Sequence, residues 1–336
     1  METKSIVFTA PGIAQVLDIP LPELKENQVQ VKLAFSTLSS GTERANLLGD
    51  PNLSVTGGSP TFPITKGYSC AGVIVAVGSE VSGLAIGDRV AVSWSKYCRI
   101  LNIAAKHVRK LPDQVSFRDA SMFHIASFPL GAIRKCRLEL GESAIVMGMG
   151  ILGLVAIPLL KAAGAAPIVA VDPVPEKREK ALAAGADYAL DPYEENFAQQ
   201  VKMLTGGGAN VGIEVTGVGA GLDGILDCMA PFGRVALLGC TRNKDFTIDY
   251  YKKVHGPGIT LIGAHTLARP KQESHGGWWT EHDDVQALIR LTQMGRIKLS
   301  ELVDETNSPE AAPAVFARLA KDKAFPVVQF DWSELE

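Results

Sequence analysis

Ser143-Ala-Ile-Val-Met-Gly-Met-Gly-Ile-Leu-Gly-Leu154 runs from an apolar tetrad into three glycines spaced G-x-G-x-x-G and on into an apolar, helix-like continuation. Ala144 to Met147 is short, apolar and bounded by glycine, which predicts a buried parallel strand. Gly148 permits a tight reversal, Gly150 leaves bare backbone for a pyrophosphate, and Gly153 lets the next helix pack close to the strand. The positive end of that helix then offers its unpaired N–H groups to a phosphate.

Glycine makes up 33 of 336 residues, so such a pattern also arises by chance and its context has to decide. The context is ordered: a second strand, Pro167-Ile-Val-Ala-Val-Asp172, ends in an acid where a Rossmann unit places the carboxylate that holds the adenosine ribose hydroxyls. The competing reading of Asp172 is a turn residue capping the helix that starts near Pro175. A carboxylate there repels a 2′-phosphate, which favours NAD(H) over NADP(H). Lys177 and Arg178 bear on that preference as groups able to meet a phosphate, or as solvated helix charges.

Outward from this motif, strands are predicted at Ala144–Met147, Ile168–Val171, Tyr188–Leu190, Val211–Val215, Gly233–Leu238 and Ile259–Ile262. Helical segments such as Glu176–Ala184 and Glu195–Leu204 separate them, and six strands with crossovers make a complete doubly wound sheet. Pro158 is expected to kink the first crossover helix. Ahead of the sheet, from Ser5 to about Lys110, short β-like runs with turn punctuation predict a barrel-like β domain. Between Ser36 and Tyr68 the chain is polar, rich in Ser, Thr, Gly and Pro, and carries little strand signal, as functional or mobile loops do. Ser116-Phe-Arg-Asp119 resembles a capping box. After Gly263 the alternation stops: a loop-like stretch carries His265, His275, Trp278, Trp279 and His282, a helix is expected over Asp284–Met294 and another over Ser308–Lys321, and Val327–Phe330 closes as a strand. The organisation expected is a β-type catalytic domain over 1–125, a nucleotide-binding domain over 126–264, and a return of 265–336 to the first domain.

Composition bounds what this α/β chain can do. Its 336 residues suffice for two cores, and 46% apolar with 21% charged residues is ordinary for a globular protein. A net charge of -3 gives no electrostatic case for nucleic acid or an anionic membrane. The N-terminus lacks a signal peptide's apolar core, and Ile145 to Leu160 is broken by glycine and proline, so a cytoplasmic protein is expected. The five cysteines form no C-x-x-C pair, which argues against a disulfide framework and a four-cysteine zinc lobe and for buried thiols.

The order of parts, a β-rich region carrying Gly72 to Gly87-Asp-Arg-Val90, then a six-stranded G-x-G-x-x-G domain, then a C-terminal return, resembles the medium-chain dehydrogenase/reductase superfamily. That group holds the zinc-type alcohol, sorbitol and threonine dehydrogenases and the quinone reductases. The resemblance covers essentially the whole chain and implies a GroES-like β-barrel-type catalytic domain beside a Rossmann sheet, with a nicotinamide cofactor held by Gly148, Gly150, Ile151, Leu152, Gly153, Asp172, Lys177, Thr216, Gly239 and His265. In zinc-dependent members a cysteine of C-G-T-D, a histidine of G-H-E and a later cysteine or carboxylate hold a catalytic zinc. Here the motifs read Ser39-Ser40-Gly41-Thr42-Glu43 and Gly67-Tyr68-Ser69, so Ser40 stands for the cysteine, Tyr68 for the histidine and Ser69 for the glutamate. His124 falls near the third ligand position. Trp94-Ser-Lys-Tyr-Cys-Arg-Ile100 runs across where the four cysteines of a structural zinc lobe would lie. No zinc of either kind is expected.

Without a metal, a side chain must take the hydroxyl proton during hydride transfer. The resemblance implies that Tyr68, His124, Thr42 and Ser40 lie beside the nicotinamide, with Tyr68 or His124 as acid/base and Thr42 as hydrogen-bond support. The competing reading of Tyr68 is packing, and that of His124 a structural histidine. Glu43 is expected to pair with Arg44 or a lysine, or to be solvated. In His275-Gly-Gly-Trp-Trp279 one of Trp278 and Trp279 is expected at the substrate and the other in the core or a subunit contact, the alternative being a surface loop docked by one tryptophan. The leading expectation is an NAD(H)-dependent, zinc-independent oxidoreductase acting on a secondary alcohol or ketone of a sugar, cyclitol or other ring. The alternatives are an NADPH-dependent enone or quinone reductase and a catalytically silent nucleotide-binding protein. The sixth strand, Ile259–Ile262, leaves an apolar sheet edge of the kind usually covered, and the resemblance implies that it pairs in a homodimer, a tetramer being the alternative.

Overall fold

A computed structural model describes residues 1–51, 58, 60–241, 243 and 245–335. Positions 52–57 and 59, within the polar stretch before Tyr68, lie outside the described residues. The chain divides into two units, one of Met1–Ile125 with Val285–Glu336 and one of Ala126–Asp284. Residues 265–284, expected with the β domain, therefore belong to the unit that holds the parallel sheet.

In the first unit the strand Gln28–Thr37 is the spine. It pairs antiparallel with Ser69–Val77, Ile100–Ala104 and Val328–Asp331, and Arg89–Ser93, Val108–Lys110 and Glu305–Asn307 extend the sheet. A second sheet joins Glu2–Ala10 to Ile13–Pro20 and Ile64–Thr65. Successive strand residues face opposite ways, so Val29, Val31 and Leu33 go inward while Lys32 stays exposed. They pack with Ile6, Phe8, Ile74, Tyr97, Phe316 and Phe330. The C-terminal residues complete this core: the buried Trp332 donates its indole N–H to Ser36 Oγ at 2.9 Å. The polar stretch is not wholly irregular. Ser40–Leu48 is an α-helix that buries Ala45, Asn46 and Leu47, held by tertiary packing where its sequence shows no apolar stripe.

The second unit is the expected doubly wound sheet, six parallel strands in the order Tyr188–Leu190, Ile168–Val171, Ala144–Met147, Ala209–Glu214, Met229–Leu237, Thr260–Gly263. The order reverses between Ala144–Met147 and Ala209–Glu214, and such a switch point opens a crevice at the carboxyl ends of the strands. Ile145, Val146, Val169 and Val171 are fully buried, as strands covered on both faces require. The helix Ile151–Ala163 runs on through Pro158. Ser116 caps the short helix Phe117–Ala120 by accepting from the Asp119 N–H at 3.0 Å, as its sequence anticipates.

Candidate active site

Tyr68, Thr42, His124 and Trp94 gather in the first unit. Tyr68 occupies the residue just before the strand Ser69–Val77 and donates its hydroxyl to Thr42 Oγ1 at 3.4 Å. Its ring meets His124 edge-on at 5.4 Å between centroids. His124 is 2% exposed, and its other side is covered by Trp94, centroids 4.7 Å apart at 63°. Ser40 opens the helix that carries Thr42 and is half-buried.

The local sequence builds this arrangement. Gly67 adopts φ +105°, and a Cβ there would stand 2.8 Å from the Tyr97 backbone nitrogen, so only glycine lets the chain turn into Tyr68. Ser69 then donates to the Ser121 carbonyl at 2.6 Å and accepts the Ile125 N–H at 3.4 Å. That pins the first turn of the helix Phe123–Lys135, and with it His124. Behind lies a buried polar cluster: Gln329 donates to Thr37 Oγ1 at 3.1 Å, to Ser121 Oγ at 3.0 Å and to the Arg118 carbonyl at 2.8 Å.

Three residues of this centre escape a reading of the sequence by pattern. Trp94 is 40% exposed and holds a left-handed backbone, φ +57°, uncommon for a bulky residue and often tied to a site. The available signal was its place just after the strand Arg89–Ser93. Ser69 carried no signal beyond its motif. Glu43, expected to be solvated or paired with Arg44, is fully buried; Asn46 donates to its Oε2 at 3.4 Å, and burial pushes its carboxyl up to about 7. Arg44 turns instead to the Leu319 carbonyl at 2.8 Å and to the Asp322 carbonyl.

In the second unit the glycine turn joins the strand Ala144–Met147 to the helix Ile151–Ala163. A Cβ on Gly153 would fall 1.9 Å from the Gly148 carbonyl oxygen, so helix and strand touch backbone to backbone there. Among the described residues, apart from its own chain neighbours, no atom lies within 4 Å of where a Gly150 Cβ would stand, leaving that face open at the start of the helix that begins with Ile151 and Leu152. Asp172 is 6% exposed; its Oδ2 accepts the Met149 N–H at 2.7 Å and its Oδ1 the Val174 N–H at 2.9 Å. The acid thus braces the glycine turn and the approach to the next helix, and each oxygen keeps a second lone pair. Arg178 bonds the Asp172 carbonyl at 2.7 Å and Asp191 at 3.2 Å, while Lys177 sits half-buried on the same helix.

Thr216 and Gly239 follow the fourth and fifth strands of the sheet in chain order. Glu214 accepts the Thr216 N–H at 2.8 Å and the Gly217 N–H at 3.2 Å, and a Gly239 Cβ would stand 2.4 Å from the Gly217 nitrogen. Burial raises the Glu214 carboxyl. Gly148 packs on Thr216, so turn and loop border one crevice. His265 follows the sixth strand, accepts the Leu267 N–H at 3.2 Å, and is held below the ordinary histidine range by burial and by Lys135 and Arg269.

Trp278 and Trp279 pack on cations of their own unit. The Arg134 guanidinium lies 3.6 Å from the Trp279 ring centre and the Lys135 ammonium 4.9 Å from that of Trp278. Arg134 also pairs with Asp284, 1% exposed, which Arg269 reaches at 3.3 Å. Both indoles thus cover a buried ionic cluster. All five cysteines are free; four are buried, and Cys240, contrary to the expectation of burial, is exposed. Among the described residues no group of three or more His, Cys, Asp or Glu side chains is placed to hold a metal ion, and no helix is long and apolar enough to cross a membrane.

Comparison with known proteins agrees with this construction. Residues 25–137 match the family model described as alcohol dehydrogenase GroES-like domain, and residues 152–275 the one described as zinc-binding dehydrogenase. The chain is 24% identical over 333 residues to the D-guloside 3-dehydrogenase of Escherichia coli strain K12, covering 92% of this chain and 94% of that one. It is 27% identical over 330 residues to the L-threonine 3-dehydrogenase of Pyrococcus horikoshii, covering 89% and 90%. The crystal structure of galactitol-1-phosphate dehydrogenase from Escherichia coli superposes with a TM-score of 0.84 at 22% identity, over 98% of this chain and 99% of that one. The protein belongs to the medium-chain dehydrogenase/reductase superfamily and is, like its relatives, a nicotinamide-dependent oxidoreductase acting on CH–OH groups.

Proposed function

We propose that this protein transfers a hydride between NAD(H) and a secondary alcohol or its ketone, on a sugar, cyclitol or similar ring, without zinc. The observation that carries the reading is the Tyr68 pair: its hydroxyl on Thr42 and its ring on His124, at positions where zinc-dependent relatives keep metal ligands. Serine and tyrosine hydroxyls rarely ligate zinc at neutral pH, and one imidazole among them does not fit the metal.

Bound NAD⁺ supplies the hydride acceptor; the protein must handle the hydroxyl proton. The Tyr68 hydroxyl or the His124 imidazole is the group to take it, with Thr42 orienting the phenol and Trp94 packed on the imidazole. The half-exposed indole of Trp94 offers a flat apolar face to a ring substrate. Asp172 at the ribose position, with Arg178 taken up by Asp191 and the Asp172 carbonyl, supports NAD(H) over NADP(H). Names among the relatives, a D-guloside, threonine and galactitol 1-phosphate dehydrogenase, support a hydroxyl-bearing substrate. The terminal strand Thr260–Gly263, with Leu261 38% exposed, supports a homodimer.

Tyr68→Phe and His124→Ala test the assignment. The variant lacking the proton-handling group loses about 10²- to 10⁴-fold in hydride transfer while retaining NADH binding. Intact transfer in both would remove the proposed acid/base.

A further inference from the structure

Thr42 and Glu43 are consecutive on the helix Ser40–Leu48, and Gly67 and Tyr68 are consecutive at the entry to the strand Ser69–Val77. Thr42 accepts from the Tyr68 hydroxyl, while the Gly67 amide and the Tyr97 hydroxyl face the Glu43 carboxyl. Helix and turn thus meet at two adjacent points. The Glu43 side chain is wholly buried and its Oε1 has no hydrogen-bond partner among the described residues. The turn also packs on Tyr97, whose backbone nitrogen would stand 2.8 Å from a Cβ on Gly67.

We propose that Glu43 is a positioning residue for Tyr68: its buried carboxyl ties the helix to the Gly67–Tyr68 turn, and a change in its protonation shifts Tyr68 against Thr42. The reaction it serves is the one proposed above. The groups facing it are Lys66, Tyr97, Cys70 and Asn46. Burial holds Tyr97 and Cys70 above their ordinary values, so both are neutral at physiological pH, and against the burial of Glu43 a charge there is favoured by Lys66 and by the hydrogen bonds of Asn46, Tyr97 and Gly67. A carboxylate buried against one cation, with one oxygen unbonded, is costly, and protonation relieves it. Burial accordingly moves the Glu43 transition to about 7, where a modest pH change switches it.

The test compares the full-length protein with Glu43→Gln, an uncharged isostere of the acid, using ¹³C-labelled tyrosine with the Tyr68 resonance assigned through Tyr68→Phe. In the unsubstituted protein the Tyr68 signal shifts as pH rises through about 7, and in Glu43→Gln it stays at the acid-side position. The ratio of kcat/KM between the unsubstituted protein and Glu43→Gln changes severalfold over the same interval. A Tyr68 titration that survives in Glu43→Gln assigns the transition to another group and overturns the proposal, as does the absence of any Tyr68 shift. Should no alcohol be turned over, the proposed reaction fails while the resonance still decides the role of Glu43. Should Glu43→Gln not fold, infrared difference spectra of the unsubstituted protein decide: a buried protonated-carboxyl band present at about pH 6 and lost by about pH 8 is the expected result, and its absence at the lower pH the contrary one.

Discussion

Ser69 Oγ accepts the N–H of Ile125, so the strand that begins directly after Tyr68 is fastened to the helical turn that carries His124. The hydroxyl also donates to the Ser121 carbonyl. One small side chain therefore fixes the spacing of the two residues assigned to proton handling. In zinc-dependent members of the superfamily a glutamate stands here; a carboxylate could not donate to a carbonyl as this serine does.

Ser69→Ala leaves a buried carbonyl and a buried amide without this partner, at about 1–3 kcal/mol. Thermal unfolding is expected several degrees lower. Misplacement of Tyr68 against His124 lowers kcat by about ten- to a hundredfold with NADH affinity unchanged, which equilibrium titration beside steady-state kinetics resolves.

Asp172→Ala separates the two roles of the acid. It removes the acceptor of the Met149 and Val174 amides and the group opposed to a 2′-phosphate. NADH binding is expected to weaken about ten- to a hundredfold, from loss of a charged hydrogen-bond acceptor worth about 1.5–3 kcal/mol, with NADPH affected less. Equal weakening of both cofactors, measured by fluorescence titration, would contradict the assignment of NAD(H).

Stability is expected to fall as the solution turns from acid to neutral. Burial raises Glu43 to about 7 and Asp284 to about 6, the latter against the pull of Arg134 and Arg269. A carboxyl that binds its proton more tightly in the folded chain contributes stability that is full below its unfolded value, near 4, and is lost as pH rises through the folded value. At roughly 1.4 kcal/mol per pKa unit, Glu43 accounts for a loss of order 3 kcal/mol between about pH 4 and pH 7. Urea unfolding across this range shows the decline, and Glu43→Gln flattens its upper part. A profile that Glu43→Gln leaves unchanged would mean that the buried acid is not protonated.

The sheet was legible because its signals are local: an apolar tetrad, a glycine spacing and an acid at the next strand end each act within a few residues of themselves. The helix Ser40–Leu48 was not, because Ser-Gly-Thr-Glu-Arg-Ala-Asn is polar and only tertiary packing makes it helical. Burial of Glu43 was hidden for the same reason, since its neighbours Lys66 and Tyr97 come from elsewhere in the chain. Trp94 joins His124 through a left-handed backbone that no periodicity announces. Trp278 and Trp279 were conspicuous as aromatics, but what they cover, Arg134 and Lys135, lies more than a hundred residues earlier.

The central claim is that side chains do the work of the missing metal ligands, and single-turnover hydride transfer after exhaustive chelation tests it most directly. With protein treated with a zinc chelator and shown by metal analysis to be free of metal, NADH oxidation by a cyclic ketone is expected at the rate of untreated protein and to fall in Tyr68→Phe or His124→Ala. A reaction lost on chelation and restored by zinc would contradict it.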